Sequence, residues 1–298
     1  MTIQEGLDGW YLHLKAQGAS YRTIDRYDRV WRQFTTWLTE RGVTELEALK
    51  PELARLYILN RMAKVSPITA HYEVTPIKSF TAWLEQMEFI SSDPFRRVKK
   101  PRVERKELQI LKPAEVKTLL SVLDQKEPDE FRDYVIISLV LATGLRRGEI
   151  TGALLKDFDP ESRSLLVMGK GRKQRRVPIP PDVVALIWRY IKTVRKRYAN
   201  PVSTTLFITN RGGPVNPGVM THRFQRYVQR AEIDHKSTFH GLRHWAASAM
   251  LANSMPLELV SRTLGHADAV ITSRVYAHVG FNDIQRAFDS ANHLRQTL

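Results

Sequence analysis

The 298-residue chain contains no cysteine. That excludes a disulfide scaffold, a cysteine nucleophile and a thiolate metal site, and it suits a reducing compartment. No apolar run approaches the roughly 18 residues that a membrane-spanning helix needs. The N-terminus, MTIQEGLDGW, lacks the basic-then-apolar pattern of an export signal. Low-complexity tracts and internal repeats are also missing, and 43% hydrophobic with 26% charged residues is an ordinary globular balance. The length suits two domains better than one small core.

Acidic residues are in short supply: 31 Asp and Glu face 46 Lys and Arg, a net charge of +15. The excess is unevenly placed. Residues 1–150 hold 24 basic and 21 acidic side chains, whereas residues 151–250 hold 18 and 6. A basic stretch of that kind attracts polyanions, and the phosphate backbone of nucleic acid is the first candidate. Anionic lipid fits less well, because the excess does not lie on one amphipathic helix. The expected location is the cytoplasm, in association with the nucleoid, with no membrane partner.

The first hundred residues read as helices. Ile3, Leu7, Trp10 and Leu14 recur at helical spacing, and Gly18 ends the run. Ser20 is placed to cap a second helix with the stripe Ile24, Tyr27, Trp31, Phe34 and Leu38, stopped by Gly42. Pro51 opens a third, through Leu53, Leu56 and Leu59; Ser66-Pro67 opens a fourth, which Pro76 is expected to kink or split. Residues 96–109 break the pattern: seven of the eleven residues from Arg96 to Lys106 are Lys or Arg. We read them as a basic linker able to follow a phosphate backbone, with Arg96, Arg97, Lys99, Lys100 and Arg102 as candidate DNA contacts. A second domain follows. Residues 131–145 are apolar almost all round, as in a buried helix. Residues 164–168 and 175–179 are short strand candidates flanking a glycine-punctuated turn, and helical patterns fill most of the remainder.

Four segments carry unusual polar groups. Ala142-Thr143-Gly144-Leu145-Arg146-Arg147-Gly148-Glu149 puts an arginine just after the buried helix, with Glu149 a turn further on. A guanidinium suits phosphate because its planar fork offers several donors and stays charged; alone, the pair reads first as a structural ion pair. Gly169-Lys170-Gly171 lets a lysine approach a ligand closely, with Arg172, Lys173 and Arg175 beside it as further candidate DNA contacts. His240 and Arg243 in FHGLRHW share a helix face three residues apart. Leu264-Gly265-His266-Ala267-Asp268 precedes Val275-Tyr276-Ala277-His278. Arg147 competes with Arg146, and Tyr190, Tyr198 and Tyr227 compete weakly with Tyr276. Neither a metal-binding HExxH nor a phosphate-cradling P-loop is present, and no metal site or cofactor is expected.

In that order the four segments resemble the tyrosine recombinase (phage integrase) family, in particular its short Xer-like members. ATGLRRGE matches at Arg146 and Glu149, MGKGRKQRRVPIP at Lys170, FHGLRH at His240 and Arg243, LGHAD at His266 and RVYAHV at Tyr276. The interval from His266 to Tyr276 is ten residues, one longer than usual for the family, and Trp245 stands where smaller residues are common. The resemblance covers about residues 110–280 and extends more weakly to the N-terminal part.

It implies a mainly α fold with a small β-sheet or hairpin: a helical core-binding domain (1–95), a linker (96–109) and an α+β catalytic domain with a C-terminal tail helix (110–298). It implies strand cleavage by Tyr276 to a 3′-phosphotyrosyl link, with Arg146, Lys170, His240, Arg243 and His266 as the other catalytic residues and Glu149 in support. It also implies a C-shaped clamp on double-stranded DNA at a specific site and a homotetramer on two duplexes, with or without a partner recombinase. Residues 281–298, with Ile284, Ala287 and Phe288 on one side, are expected to dock either on a neighbouring protomer or on their own domain. A type IB topoisomerase-like relaxing enzyme and a non-catalytic DNA-binding regulator are the alternative readings.

Overall fold

The computed structural model describes residues 1–103, 110–169, 174–235 and 237–265, together with residues 285 and 289. The chain divides into two compact units, Met1–Lys106 and Glu107–Leu298.

The N-terminal unit is built from four helices: α1 (Ile3–Ala16), α2 (Tyr21–Thr39), α3 (Pro51–Met62) and α4 (Pro67–Gln86). Their starts are chemically marked. Thr2 and Glu5 form a reciprocal capping box on α1, and the Ser20 and Ser66 hydroxyls accept from the amides of Thr23 and Thr69. The core is aromatic. Trp10, Trp31, Phe34 and Phe80 are buried, and Trp31 meets Phe80 edge-on at 4.6 Å between ring centres.

Of the two outcomes open at Pro76, a split does not occur: α4 runs through it for 20 residues. The carbonyl that loses its donor belongs to Tyr72, which is exposed to water, while Val74, Ile77 and Phe80 hold the flanking turns in the core. On α3 the buried face is Ala54, Tyr57 and Ile58; Leu56 and Leu59 are 52% and 64% exposed.

The basic stretch behaves differently from a free connector. Phe95 and Val98 are buried in the N-terminal core. Lys78 donates to the carbonyls of Arg96 and Val98 at 2.9 Å, His71 Nδ1 lies 2.8 Å from the Pro101 carbonyl, and Lys100 donates to Thr75. Residues 96–103 therefore lie along the helical unit.

The second unit contains α5 (Pro113–Ser121), α6 (Pro128–Thr143), α7 (Arg147–Thr151), then strands β1 (Phe158–Asp159), β2 (Ser164–Met168) and β3 (Gln174–Pro178). α8 (Pro181–Tyr190) continues through a π-helical turn, Ile191–Arg195, into α9 (Lys196–Tyr198); α10 (Pro217–Arg230), α11 (Phe239–Ala252) and α12 (Leu257–Leu264) follow. The strands form an antiparallel sheet in sequence order, with Leu165 opposite Val177 and Val167 opposite Arg175. α6 is buried from Phe131 to Thr143 and forms the centre of the core. Among the described residues no helix is long and apolar enough to cross a membrane. Of the C-terminal stretch, Asp289 takes both Nη groups of Arg163 at 2.9 and 2.8 Å; Ile284, Ala287 and Phe288 lie outside the described residues.

Candidate phosphate-binding site

The site forms where two helices end. α6 closes on Gly144 and α12 on Gly265, both in the left-handed conformation with φ of 65° and 64°. A side chain is excluded at each. A Cβ on Gly144 would lie 2.3 Å from Leu264 Cδ2, and one on Gly265 2.8 Å from Arg175 Cζ. The last carbonyls of a helix lack intrahelical donors and carry its negative dipole end. Here they meet arginines.

Arg243, on the buried side of α11, donates to the Gly144 carbonyl at 2.7 Å and to the Leu264 carbonyl at 2.8 Å. Arg146, at the N-cap of α7, donates to Leu264 and Gly265 at 3.3 and 3.0 Å. Arg175, from β3, reaches Thr263 and Leu264 at 3.0 and 3.2 Å. One carbonyl, that of Leu264, thus accepts from three guanidiniums. Glu149 is the carboxylate among them. It accepts from the Arg146 amide at 2.8 Å, from Arg146 Nη1 at 3.0 Å and from both Nη groups of Arg175 at 2.8 and 2.9 Å.

The electrostatics follow. Burial pushes the Glu149 carboxyl up, but its hydrogen bonds from Arg175 and Arg146 win and hold it below the usual carboxylate range. Burial, with Arg146 beside it, lowers the Arg243 guanidinium to about 10. It is still a cation at neutral pH, though a strained one at 4% exposure. Three guanidiniums against one carboxylate leave a surplus of positive charge in a half-buried place. An anion entering between Arg146 and Arg243 relieves that surplus, and both forks suit the non-bridging oxygens of a phosphodiester.

The structure gathers Arg146, Glu149 and Arg243, which the sequence scatters over about a hundred positions. His240 is exposed in the first turn of α11, its ring edge-on to His244 at 4.8 Å. Lys170, Arg172, Lys173, His266 and Tyr276 lie outside the described residues; the described chain stops at Gly169, resumes at Gln174 and reaches Gly265, immediately before His266. Arg147 turns away to the Thr221 hydroxyl on α10. Tyr190 and Tyr227 are buried in the core: Tyr190 accepts from the Ile208 amide and Tyr227 donates to Asp133. Tyr198 is half-buried beneath Arg197. Trp245 packs into the core of its unit.

Among the proposed DNA contacts, Arg97, Lys99 and Arg102 are exposed, Arg96 is paired with Glu85, and Lys100 is half-buried against Thr75. Arg175 departs most from its expected place. It shares the inward face of β3 with Val177, and its fork is taken up by Glu149 and the end of α12 rather than facing a ligand. The sequence held one signal for this: Arg175 has the strand parity of the buried Val177, whereas Arg176 has the opposite parity. No group of three His, Asp or Glu side chains is placed to hold a metal among the described residues.

The sequence profile of the phage integrase family matches residues 109–283. A protein of Ralstonia nicotianae named tyrosine recombinase XerC 2 is 30% identical over 302 residues, covering 98% of this chain and 86% of its own. Tyrosine recombinase XerD of Staphylococcus epidermidis is 28% identical, covering 91% and 92%. Among solved structures, a λ integrase dimer bound to a core site superposes with a TM-score of 0.71 at 15% identity, over 91% of this chain and 97% of that one. The XerH site-specific recombinase in a post-cleavage complex gives 0.69 at 22%, over 92% and 81%.

Proposed function

The chain belongs to the phage integrase family, and from that premise we propose how its site works. It is a tyrosine recombinase, an enzyme of site-specific DNA recombination that cleaves and rejoins DNA strands. The observation that carries the mechanism is the pair of guanidiniums, Arg146 and Arg243, meeting at the Leu264 carbonyl with a surplus of positive charge.

In the proposed reaction the Tyr276 hydroxyl attacks the phosphorus of the scissile phosphodiester. A phosphorus–phenol oxygen bond forms, the bond to the 5′-oxygen breaks, and a 3′-phosphotyrosyl link holds the bond energy. Arg146 and Arg243 clamp the non-bridging oxygens and offset the charge of the pentacoordinate transition state. Lys170 supplies the proton to the leaving 5′-oxygen, His240 assists removal of the phenol proton, and His266 hydrogen-bonds the phosphate. The 5′-hydroxyl of another strand then reverses the step and joins the strands. One phosphodiester becomes another, so neither ATP nor a cofactor is consumed, and two guanidiniums supply the charge that a metal ion would otherwise bring. Glu149 holds the Arg146 fork in place.

The partner is double-stranded DNA carrying a specific site. Exchange between two duplexes needs four such sites, hence a homotetramer on DNA, with or without a second recombinase, in the cytoplasm.

The test is to incubate the protein with genomic DNA, trap covalent adducts and sequence their ends. Adducts are expected at one recurrent site, and they should form in EDTA. Tyr276→Phe should bind the recovered site with unchanged affinity and give no adduct. A Phe variant that still cleaves a nicked duplex of that site removes Tyr276 as nucleophile, and strict Mg2+ dependence overturns the metal-free chemistry. Relaxation of supercoiled DNA without sequence preference favours the topoisomerase reading, and binding without any adduct favours the regulator.

A further inference from the structure

We propose that Arg175 is a positioning residue of this reaction, setting the geometry of the phosphate clamp without touching DNA. The inference rests on the recombinase reading above and deepens it.

The geometry is specific. Of the five N–H groups of a guanidinium, Arg175 uses four inside the protein. Nε donates to Thr263 at 3.0 Å, Nη1 to Glu149 at 2.8 Å, and Nη2 to Glu149 at 2.9 Å and Leu264 at 3.2 Å. One side chain therefore ties three segments together. It stands on β3, five residues after Lys170 in the sequence. It grips the carboxylate that holds both the backbone and the fork of Arg146. It also fastens the last turn of α12, two residues before His266. Gly265 presses against its guanidinium so closely that a Cβ there would lie 2.8–2.9 Å from its atoms. No lysine can replace this fork, since an ammonium lacks the planar pair of donors that meets both oxygens of Glu149.

Arg175 also keeps Glu149 ionised. Burial disfavours the carboxylate, and the hydrogen bonds from Arg175 are the largest opposing influence. The other charged groups facing Glu149 among the described residues are Arg146 from the start of α7 and Arg243 from α11; Lys156 and Asp157 share with it a cavity of about 300 Å³. Without the Arg175 fork the carboxyl rises towards protonation as the pH falls. A protonated Glu149 no longer holds Arg146.

The experiment uses the full-length protein and a nicked duplex of the site recovered by adduct trapping, with single-turnover cleavage and DNA affinity measured from acid to mildly alkaline pH. The wild type must form the adduct, which separates failure of this proposal from failure of the recombinase reading. Arg175→Lys and Arg175→Gln are expected to cleave about a hundredfold more slowly at unchanged affinity, the loss that a misplaced catalytic group brings. In Arg175→Gln the deficit deepens as pH falls. Adding Glu149→Gln leaves the slow rate but removes that slope. Should Arg175→Gln fail to fold, Arg175→Lys reads the fork alone. Wild-type cleavage by Arg175→Lys, loss of affinity in proportion to rate, or a pH profile of Arg175→Gln parallel to the wild type would overturn the proposal.

Discussion

Three arginines converge on the carbonyl of Leu264, and that convergence explains why these residues are arginines. Each fork must meet helix-terminal carbonyls in a planar arrangement that a lysine cannot supply, and those of Arg146 and Arg243 must also leave donors for a ligand. The cost falls on Arg243, whose charged form is disfavoured by burial and by Arg146. A bound anion offsets that cost, so inorganic phosphate is expected to raise the melting temperature, and Arg243→Gln should abolish the increment. At a hundred times its dissociation constant the stabilisation approaches about 2.7 kcal/mol; a thermal-shift series at constant ionic strength reads it. Equal shifts in both proteins would place the anion elsewhere. Arg146, Glu149 and Arg243 were legible as candidates through the order of their segments, which resembles that of the family, and not through any one segment alone. Arg175 was named only as a DNA contact, because it sits in a basic run beside Arg176 and the strand register is what assigns one inward and the other outward.

The helices of the N-terminal unit show where local patterning is reliable and where packing overrides it. Serine before a helical stripe specified the starts of α2 and α4, since a hydroxyl satisfies an amide that no carbonyl can reach. On α3 the leucines at 53, 56 and 59 marked the helix, but the core takes Ala54, Tyr57 and Ile58, with Leu53 partly buried against it and Leu56 and Leu59 exposed. Steps of three residues drift around a helix, and the Tyr57 ring lies 4.6 Å from Phe34. The turns on either side of Pro76 stay helical, with Val74, Ile77 and Phe80 buried in the core. The missing hydrogen bond to Tyr72 remains a local cost. Pro76→Ala should therefore stabilise the protein, by about 1–2 kcal/mol once the lost side-chain packing is subtracted from the cost of an interior proline. The urea unfolding midpoint checks this, and a lower midpoint would mean that Pro76 is needed for packing.

At the scale of the molecule the governing quantity is charge. A net +15, concentrated in residues 151–250, means that DNA binding releases many condensed counterions. Affinity for the recovered site should fall by about 10³-fold or more between ~50 and ~200 mM salt. A shallow dependence in a fluorescence-anisotropy titration would show that few phosphates are contacted. Part of the basic complement is internally paired: Arg96 with Glu85, Arg175 with Glu149, Arg223 with Asp133. Counting basic residues thus overstates the cations free to meet DNA. The stretch from residue 96 to 103 illustrates this: read as a basic linker able to follow a phosphate backbone, it has Phe95 and Val98 anchored in the helical core and Arg96 paired with Glu85.

The sequence by itself determined the helical character of both units, the hairpin, the charge asymmetry and the order of the four polar segments. Each of these follows from periodicity, capping chemistry or composition within a short window. The tertiary structure alone decided that the ends of α6 and α12 meet, and that arginines 118, 89 and 21 residues away from Leu264 share its carbonyl. α11 packs against both α6 and α12 and brings those backbones together, and no spacing along the chain encodes that contact.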